Sequence, residues 1–558
     1  MSKSEGPMPS AGLNRRQFVK GLGLGAAALT LTRCGVLGPG AASTDETRYL
    51  VDPSSTPFTF PTSVPTPIPS PTPTPEPSPT PVPPRTDGPP NIVFIVVDDM
   101  GWKDVGFNGN TVYHTPNIDR LAAEGMVFTD AYSNSPVCAP SRASYLTGLY
   151  GPRHGVYTVG AAAQGGPQER KVIPTDHNPR LASRFVTIAE ALEPGGYVSA
   201  MIGKWHPGDA SATEQGFRVE TRPFDLGFGT HGKGYCNPML DAGAVECDDE
   251  YLPDVLTDHA VDFMDDNKAD PFFLYLSHNA PHSPLQARSD IYAKYASRND
   301  LRPKERTFAA IVESIDQSVG KIMEKLDDLG LADNTLLVFF SDNGALDAVT
   351  NNLPLRGEKG TMYEGGIRVP LAIRWPGKIE PGTRTDTPVI GTDFFPTFLE
   401  AAGIDPPQDL QLDGESLVSQ MTGGGSLERD AIFWHFPMYL DRVDWLVTPW
   451  SAVRMGDYKL IEFLEDGSLE LYNLREDISE INNLVDEMPE KAAELLEILA
   501  AWRESVDAPV PSKPNPQYDP DHMPRRVPKP NLARVVLSDP IGFLSGRLNR
   551  YLRTSVAA

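Results

Sequence analysis

Asn91-Ile92-Val93-Phe94-Ile95-Val96-Val97 is a continuous apolar run, mostly β-branched, that ends in Asp98-Asp99-Met100-Gly101. A strand that is apolar at every position, not at alternate ones, is buried on both faces, as in a parallel sheet with helices on either side. Thr335-Leu336-Leu337-Val338-Phe339-Phe340-Ser341 repeats the pattern and ends in Asp342-Asn343-Gly344. Phe272-Phe273-Leu274-Tyr275-Leu276-Ser277 is a third such strand and leads into His278-Asn279-Ala280-Pro281-His282. Helices are expected between the strands. The stretch 115–125 opens with Thr115-Pro116 and closes with Gly125, and helical patterns cover 186–192, 256–266, 308–329 and 394–402. Strands alternating with helices, with polar groups at strand C-terminal ends, indicate an α/β sandwich around a large, mostly parallel sheet.

Pro136-Val137-Cys138-Ala139-Pro140-Ser141-Arg142, followed by Leu146-Thr147-Gly148, is a second decisive stretch. Pro140 has no backbone donor and a φ already near the helical value, so it suits the first helical position and puts Cys138 just before a helix N-terminus. Free amides there attract anions, and Arg142 could add a bidentate pair of hydrogen bonds. Taken alone, the segment is equally a buried cysteine ahead of an ordinary helix. Adjacent acids such as Asp98-Asp99 are likewise common in solvated turns, and gain weight only because the second strand ends in the same way.

These segments, in this order, resemble the formylglycine-dependent sulfatases. Residues 138–142 carry the Cys-x-Pro-x-Arg signature, and Gly196-Tyr197-Val198-Ser199-Ala200-Met201-Ile202-Gly203-Lys204-Trp205-His206 resembles the second signature nearly throughout. The segment from Leu353 to Pro370, with Lys359, resembles a third, and the likeness spans roughly residues 90 to 505. Departures are Tyr145, where an aliphatic residue is usual, and Pro207, where leucine is more frequent.

The resemblance implies an alkaline-phosphatase-like fold with a smaller C-terminal α+β subdomain. It implies that a separate formylglycine-generating enzyme oxidises Cys138 to an aldehyde, whose hydrate is the nucleophile. It also implies a metal held by Asp98, Asp99, Asp342, Asn343 and an oxygen of the modified residue 138. Such an oxygen-only donor set suits Ca²⁺, with Mg²⁺ the alternative, better than zinc. By the same resemblance Arg142, Lys204 and Lys359 neutralise the sulfuryl oxygens, His282 protonates the departing alcohol and His206 triggers release of sulfate. His278 is a neighbour without an assigned role. Lys204 and His206 alternate, so on an extended segment both point the same way. Four glycines between 357 and 366 would let their loop pass close to a ligand, while Arg356, Glu364 and Arg368 read as ion pairs that hold it.

The expected reaction is hydrolysis of a sulfate monoester, on a sulfated small molecule or glycan, through a covalent sulfo-enzyme. Two other functions fit parts of the pattern: a phosphodiesterase or phosphonate monoester hydrolase of the same superfamily, and a non-catalytic surface-binding module whose Cys138 stays a thiol. A net charge of −25 argues against nucleic acid as a partner.

The flanks suggest export. Residues 1–42 carry Arg15-Arg16 before a short apolar run, resembling a twin-arginine signal, which implies the Tat translocon as a partner. Leu31-Thr32-Arg33-Cys34-Gly35 looks like a lipoprotein cleavage box, with Arg33 a departure from it and cleavage near Ala41-Ala42 the alternative. Residues 43–89 form a Pro/Thr/Ser-rich linker that extends as a polyproline spacer. The catalytic domain is expected over 90–430, the C-terminal subdomain over 431–508 and a tail over 509–558. The C-terminal subdomain is expected to hold a hairpin about Gly456-Asp457 and an amphipathic helix over 489–504. Together these place the protein in the envelope or on the surface of a bacterium, touching a membrane only through a lipid on Cys34. Cys236 and Cys247 could close a short disulfide loop or remain two thiols. Trp434-His435-Phe436-Pro437 could reach over the pocket or pack as an aromatic cluster.

Overall fold

The computed structural model describes residues 85, 87–208, 211–226, 228, 234–237, 246–247, 250–442, 445–522 and 525. The export signal, Cys34, the proline-rich linker and the tail beyond 525 lie outside the described residues.

The central sheet has eight strands. In spatial order they are Thr383–Thr385, Met126–Phe128, Leu371–Arg374, Thr335–Ser341, Asn91–Val97, Phe272–Ser277, Val198–Gly203 and Val219–Thr221. Asn91–Val97 runs parallel to both neighbours, and only Leu371–Arg374 is antiparallel to the strands beside it. The expected mostly parallel sheet is therefore present.

Its two-faced burial follows from the pleat. Val93, Ile95 and Val97 pack into one core with the helices Pro116–Ala123, Leu252–Asp266 and Pro303–Asp328. Ile92, Phe94 and Val96 pack into the other, with Tyr145, Leu146 and the helix Phe394–Ala402. Alternate side chains of one strand serve opposite cores, which is why the run is apolar at every position.

Helix starts depart from the sequence reading. The helices expected from 256 and 308 begin at Leu252 and Pro303, because Pro253 and Pro303 occupy first-turn positions where no amide donor is needed. Thr115 precedes the helix Pro116–Ala123 but does not cap it with its side chain; its hydroxyl accepts from Gly106 N instead.

Register sets the site. Val97 pairs with Ser341, Val96 with Ser277, and Ser277 with Gly203. The four strands thus end within one residue of each other, and Asp98, Asp342, His278 and Lys204 leave the sheet along one edge.

A second, antiparallel sheet of Ala431–Phe436, Trp450–Met455, Tyr458–Phe463 and Leu469–Asn473 forms the smaller C-terminal unit. The helix Pro489–Ser505 buries Ala492, Leu495, Leu499 and Trp502 against it, the spacing of one helical face. Trp434 is buried and donates to Ser133 O, and His435 sits between Ser451 Oγ and Pro509 O. The segment 434–437 is accordingly a packed aromatic cluster.

A buried ionic cluster ties the second sheet to the short helix Glu364–Ile367. Lys459 Nζ donates to Glu364 Oε1 and to Glu480 Oε1, each at 2.9 Å, and all three side chains are fully buried. Removing the lysine leaves Glu480 without its cation, beside a Glu364 that keeps Arg368. Lys459→Met is expected to destabilise the fold by about 3–5 kcal/mol, and Glu480→Gln in the same chain to recover part of that loss. Denaturant unfolding of the single and double variants measures this; a single variant as stable as the parent would rule out the clamp.

Candidate active site

Cys138 is the first residue of the helix Cys138–Thr147, whose N-cap is Val137 in an extended conformation. Pro140 therefore stands third in the helix, not first, and Ser141 N makes the first helical bond, to Val137 O at 3.3 Å. The placement of Cys138 at a helix N-terminus survives this shift by two residues, because the first three helical positions all lack an amide acceptor.

Around Cys138 the strand ends converge. One ligand atom each from Asp98, Cys138 and Asp342 lies within 4.8 Å of the others, and the same holds for Asp98, Asp99 and His282. Asp99 has φ 69, so the chain turns sharply just past the strand and brings its carboxylate back over the site. Asn343 Nδ2 donates to Asp99 Oδ1 at 2.8 Å, which aims the Asn343 carbonyl oxygen the other way.

The donor set fits a hard cation. Asp98 Oδ1, Asp99 Oδ2 and Asn343 Oδ1 are buried oxygens with no hydrogen-bond donor. Burial, opposed by Arg142 and Lys204 and aided by Asp98 and Cys138, raises the Asp342 carboxyl to about 7. Burial also opposes ionisation of Asp98, but Lys204, His282, Arg142 and Lys359 outweigh it and hold that carboxyl well below its usual range. Neighbouring buried acids of this kind stay ionised together only with additional positive charge between them.

Two lysines flank the cysteine. Lys204 Nζ donates to Asp98 Oδ2 and Lys359 Nζ to Asp99 Oδ1, each at 2.5 Å, and Lys359 Nζ lies 3.9 Å from Cys138 Sγ. Burial raises the Cys138 thiol pKa, but Lys204 and Lys359 together lower it below its ordinary value. Lys359 is fixed by its backbone, its amide bonded to Ala345 O and its carbonyl accepting from Arg442 Nη2.

Arg142 is turned inward onto Asp342 and the strand ends. It is fully buried, with Nε donating to Asp342 Oδ2 at 2.8 Å and Nη1 donating to Lys204 O, Tyr275 OH and Ser277 Oγ. These bonds tie Arg142 to Asp342 and to the backbone that carries Lys204. Tyr145 belongs to the same group: its hydroxyl lies 2.6 Å from Tyr275 OH, so the aromatic departure in the signature extends the cradle of Arg142.

The expectation that Lys204 and His206 share one extended segment fails. Gly203 has φ 112 and His206 has φ 72, so the chain turns twice after the strand. Lys204 points to Asp98, and both residues still line one cavity of about 510 Å³ with Ala139 and Asn279. His282 is partly exposed, with Nδ1 2.7 Å from Ser283 O and Nε2 3.7 Å from Asp99 Oδ2. His278 is buried 2.9 Å from Ser318 Oγ, and burial lowers its pKa to about 4, so it is a neutral packing residue.

Two glycines of the glycine-rich loop stand where its own backbone approaches closely. A Cβ on Gly365 would lie 2.2 Å from Gly357 O, and one on Gly366 2.2 Å from Thr361 O. Arg356 stacks on Tyr363 and donates to Tyr472 OH, while Arg368 pairs with Glu364 and Asp130; these charges hold the loop, as read from the sequence. Cys236 and Cys247 form a disulfide with Cα atoms 5.6 Å apart. Sequence reasoning missed Ser277 and Tyr275 in the Arg142 cradle and Arg180, Arg222 and Phe224 at the cavity. Only the strand end at Ser277 offered a signal.

Comparison with known proteins agrees with this geometry. A family model described as Sulfatase matches residues 90–404, and one described as N-sulphoglucosamine sulphohydrolase, C-terminal, matches residues 357–504. A sulfatase of Formosa agariphila is 34% identical over 501 residues, covering 75% of this chain and 90% of that protein. The N-acetylgalactosamine-6-sulfatase of Canis lupus familiaris is 35% identical over 400 residues, covering 66% of this chain and 71% of that protein. The crystal structure of Ps i-CgsB in complex with k-i-k-neocarrahexaose superposes with a TM-score of 0.63 at 28% identity, over 84% of this chain and 99% of that one. With more than half of its length matched by the family model, and its metal-type carboxylates, cysteine and lysines converging at one sheet edge, the chain belongs to the sulfatase family.

Proposed function

We propose that this sulfuric ester hydrolase acts on sulfated glycans, through a formylglycine made at Cys138 by a formylglycine-generating enzyme and with Ca²⁺ as its resident cation. The observation that carries the reading is the meeting of Cys138, at a helix N-terminus, with three donor-free buried oxygens and two lysines. Three carboxylates and an amide oxygen favour Ca²⁺ over Mg²⁺, which keeps more of its water. Support for a glycan comes from the relatives' names and from a cavity with room for far more than a sulfuryl group. The Arg15-Arg16 leader and the proline-rich spacer support export through the Tat translocon to a bacterial envelope, with Cys34 as the point of lipid attachment.

Asp98, Asp99, Asp342, Asn343 and an oxygen of the modified residue 138 would hold the cation, which when bound supplies positive charge beside the reacting sulfuryl group. The hydrated aldehyde supplies one hydroxyl to attack sulfur and a second whose deprotonation releases sulfate. Lys359 and Lys204 stabilise negative charge on the sulfuryl oxygens, in a buried setting where such contacts are strong. His282, its Nδ1 hydrogen held on Ser283 O, presents Nε2 to protonate the departing alcohol. His206 removes the proton from the second hydroxyl of residue 138. Arg142 keeps Asp342 and the Lys204 backbone in place.

The histidines serve different steps, so their variants should divide by leaving group. A good aryl leaving group needs little protonation. His282→Ala is expected to slow sugar sulfates about 10²–10⁴-fold and activated aryl sulfates about tenfold or less, whereas His206→Ala slows both alike. Steady-state kinetics on the two substrate types test this. Equal losses across leaving groups for both variants would contradict the assignment.

A further inference from the structure

His282 stands at the end of a turn whose two ends are held by different parts of the fold. The near end is fixed by the sheet: His278 N donates to Val96 O at 2.9 Å, and Ala280 O accepts from Asp98 N at 3.2 Å. Past that point the chain curls back, His282 N donating to Asn279 O at 3.2 Å. The far end meets a residue that belongs to none of the sequence motifs. Tyr235 is buried, 4% exposed, and its hydroxyl reaches Asn279 O at 2.9 Å and also His282 O. A phenol has one proton to donate, so it is shared between the first and last carbonyls of the turn that carries the histidine.

Tyr235 is itself fixed. Its amide donates to Gln286 Oε1 at 2.7 Å, its carbonyl accepts from Leu252 N at 2.8 Å, and its ring meets Tyr251 edge to face with centroids 6.2 Å apart. Cys236, the next residue, pairs with Tyr251 in a short antiparallel ladder and is joined to Cys247 by the disulfide. Cys247 pairs in turn with Arg288, in the chain just past the turn. The hydroxyl is thus presented from a braced segment, and a donor that is already ordered gives up little freedom in holding its acceptors.

His282 needs such a hold. Its Nδ1 lies 2.7 Å from Ser283 O, and 32% of its side chain is exposed, so the ring takes its position from its own backbone more than from packing. We propose that Tyr235 is a positioning residue for His282: its hydroxyl fixes the turn 279–282 so that Nε2 stays where the departing alcohol is protonated. The inference rests on the reading of His282 as the acid and adds the residue that keeps that acid in place. A displacement of about 1 Å in such a group costs up to about 10²-fold in rate.

Tyr235→Phe keeps the ring and removes the hydroxyl. It is expected to lower kcat on a sugar sulfate about tenfold with KM within about twofold of the parent, and to change turnover of an activated aryl sulfate by less than about twofold, because a good leaving group needs little protonation. In a His282→Ala chain the same change should add less than about twofold on either substrate, since no ring remains to be placed. Hydrogen–deuterium exchange on chains with unconverted Cys138 reads the tether without turnover: the segment 279–284 should exchange about tenfold faster in Tyr235→Phe, with the strand Phe272–Ser277 unchanged. Unchanged exchange in that segment would overturn the tether, whatever the histidine does. Faster exchange together with equal losses on both substrate types, or with a loss that persists in full in the His282→Ala chain, would overturn the positioning role. Equal losses across leaving groups for His282→Ala itself would overturn the acid reading above, and the exchange measurement would then decide by itself whether Tyr235 holds the turn.

Discussion

Asp342→Ala is expected to lower sulfate release by well over about 100-fold, the loss that follows even from disturbing groups one layer outside a metal, and to strip the protein of its bound cation. Asp342 sits between two demands. In the proposed site it is a donor to the cation with Asp98, Asp99 and Asn343; it is also the counter-charge of the fully buried Arg142, 2.8 Å away. Alanine removes both functions and leaves a buried guanidinium without its acid, a loss of about 3–5 kcal/mol in stability. Asp342→Asn separates the two effects. It keeps the shape and a hydrogen-bond acceptor for Arg142 but withdraws one negative charge from the cation, so it should melt closer to the parent while still losing metal and activity. Metal content, melting temperature and sulfate release measured together decide the matter, and chelation of the parent should reproduce the activity loss. A fully active, metal-free preparation would contradict the site.

How far the sequence reached can be seen residue by residue. Asn91–Val97 and Thr335–Ser341 were legible because a strand buried on both faces is apolar at every interior position, and the acids just past their ends were therefore conspicuous. The short strands Met126–Phe128 and Leu371–Arg374, by contrast, are too brief to show a pattern, and their antiparallel pairing is set by neighbours far away in the chain. Arg142 shows the same limit at the site. Its identity and place in a helix were readable; its partner Asp342, two hundred positions along the chain, was not. The glycines of the 357–366 loop were legible as close-approach positions; at Gly365 and Gly366 the loop's own backbone approaches, and at Gly360 the side chains of Leu440 and Arg442 do. His206 escaped the alternation argument because its left-handed φ breaks the extended path on which that argument depends. Phe224 and Arg222 belong to no motif, and only the fold brings them to the cavity.

The other large effect is expected at Cys138. The account makes the aldehyde formed there the nucleophile, so Cys138→Ala removes the reacting group itself, and turnover should fall on the order of 10⁴-fold or more, as when the nucleophile of another hydrolytic unit is deleted. The fold should persist. The side chain is small and buried at the start of a helix, its Sγ has one weak contact, with Lys359 at 3.9 Å, and alanine is a good helix former. An unconverted thiol at the same position should be as inactive as alanine, which makes maturation a graded control within a single sequence. The most direct measurement is therefore sulfate released per chain by protein produced with and without a formylglycine-generating enzyme, set beside the mass of the peptide that carries residue 138. The account predicts that sulfate release rises in proportion to the fraction of chains bearing the aldehyde and extrapolates to zero for thiol and for Cys138→Ala; sulfate release at the parent rate from chains whose residue 138 is wholly thiol or alanine would contradict it.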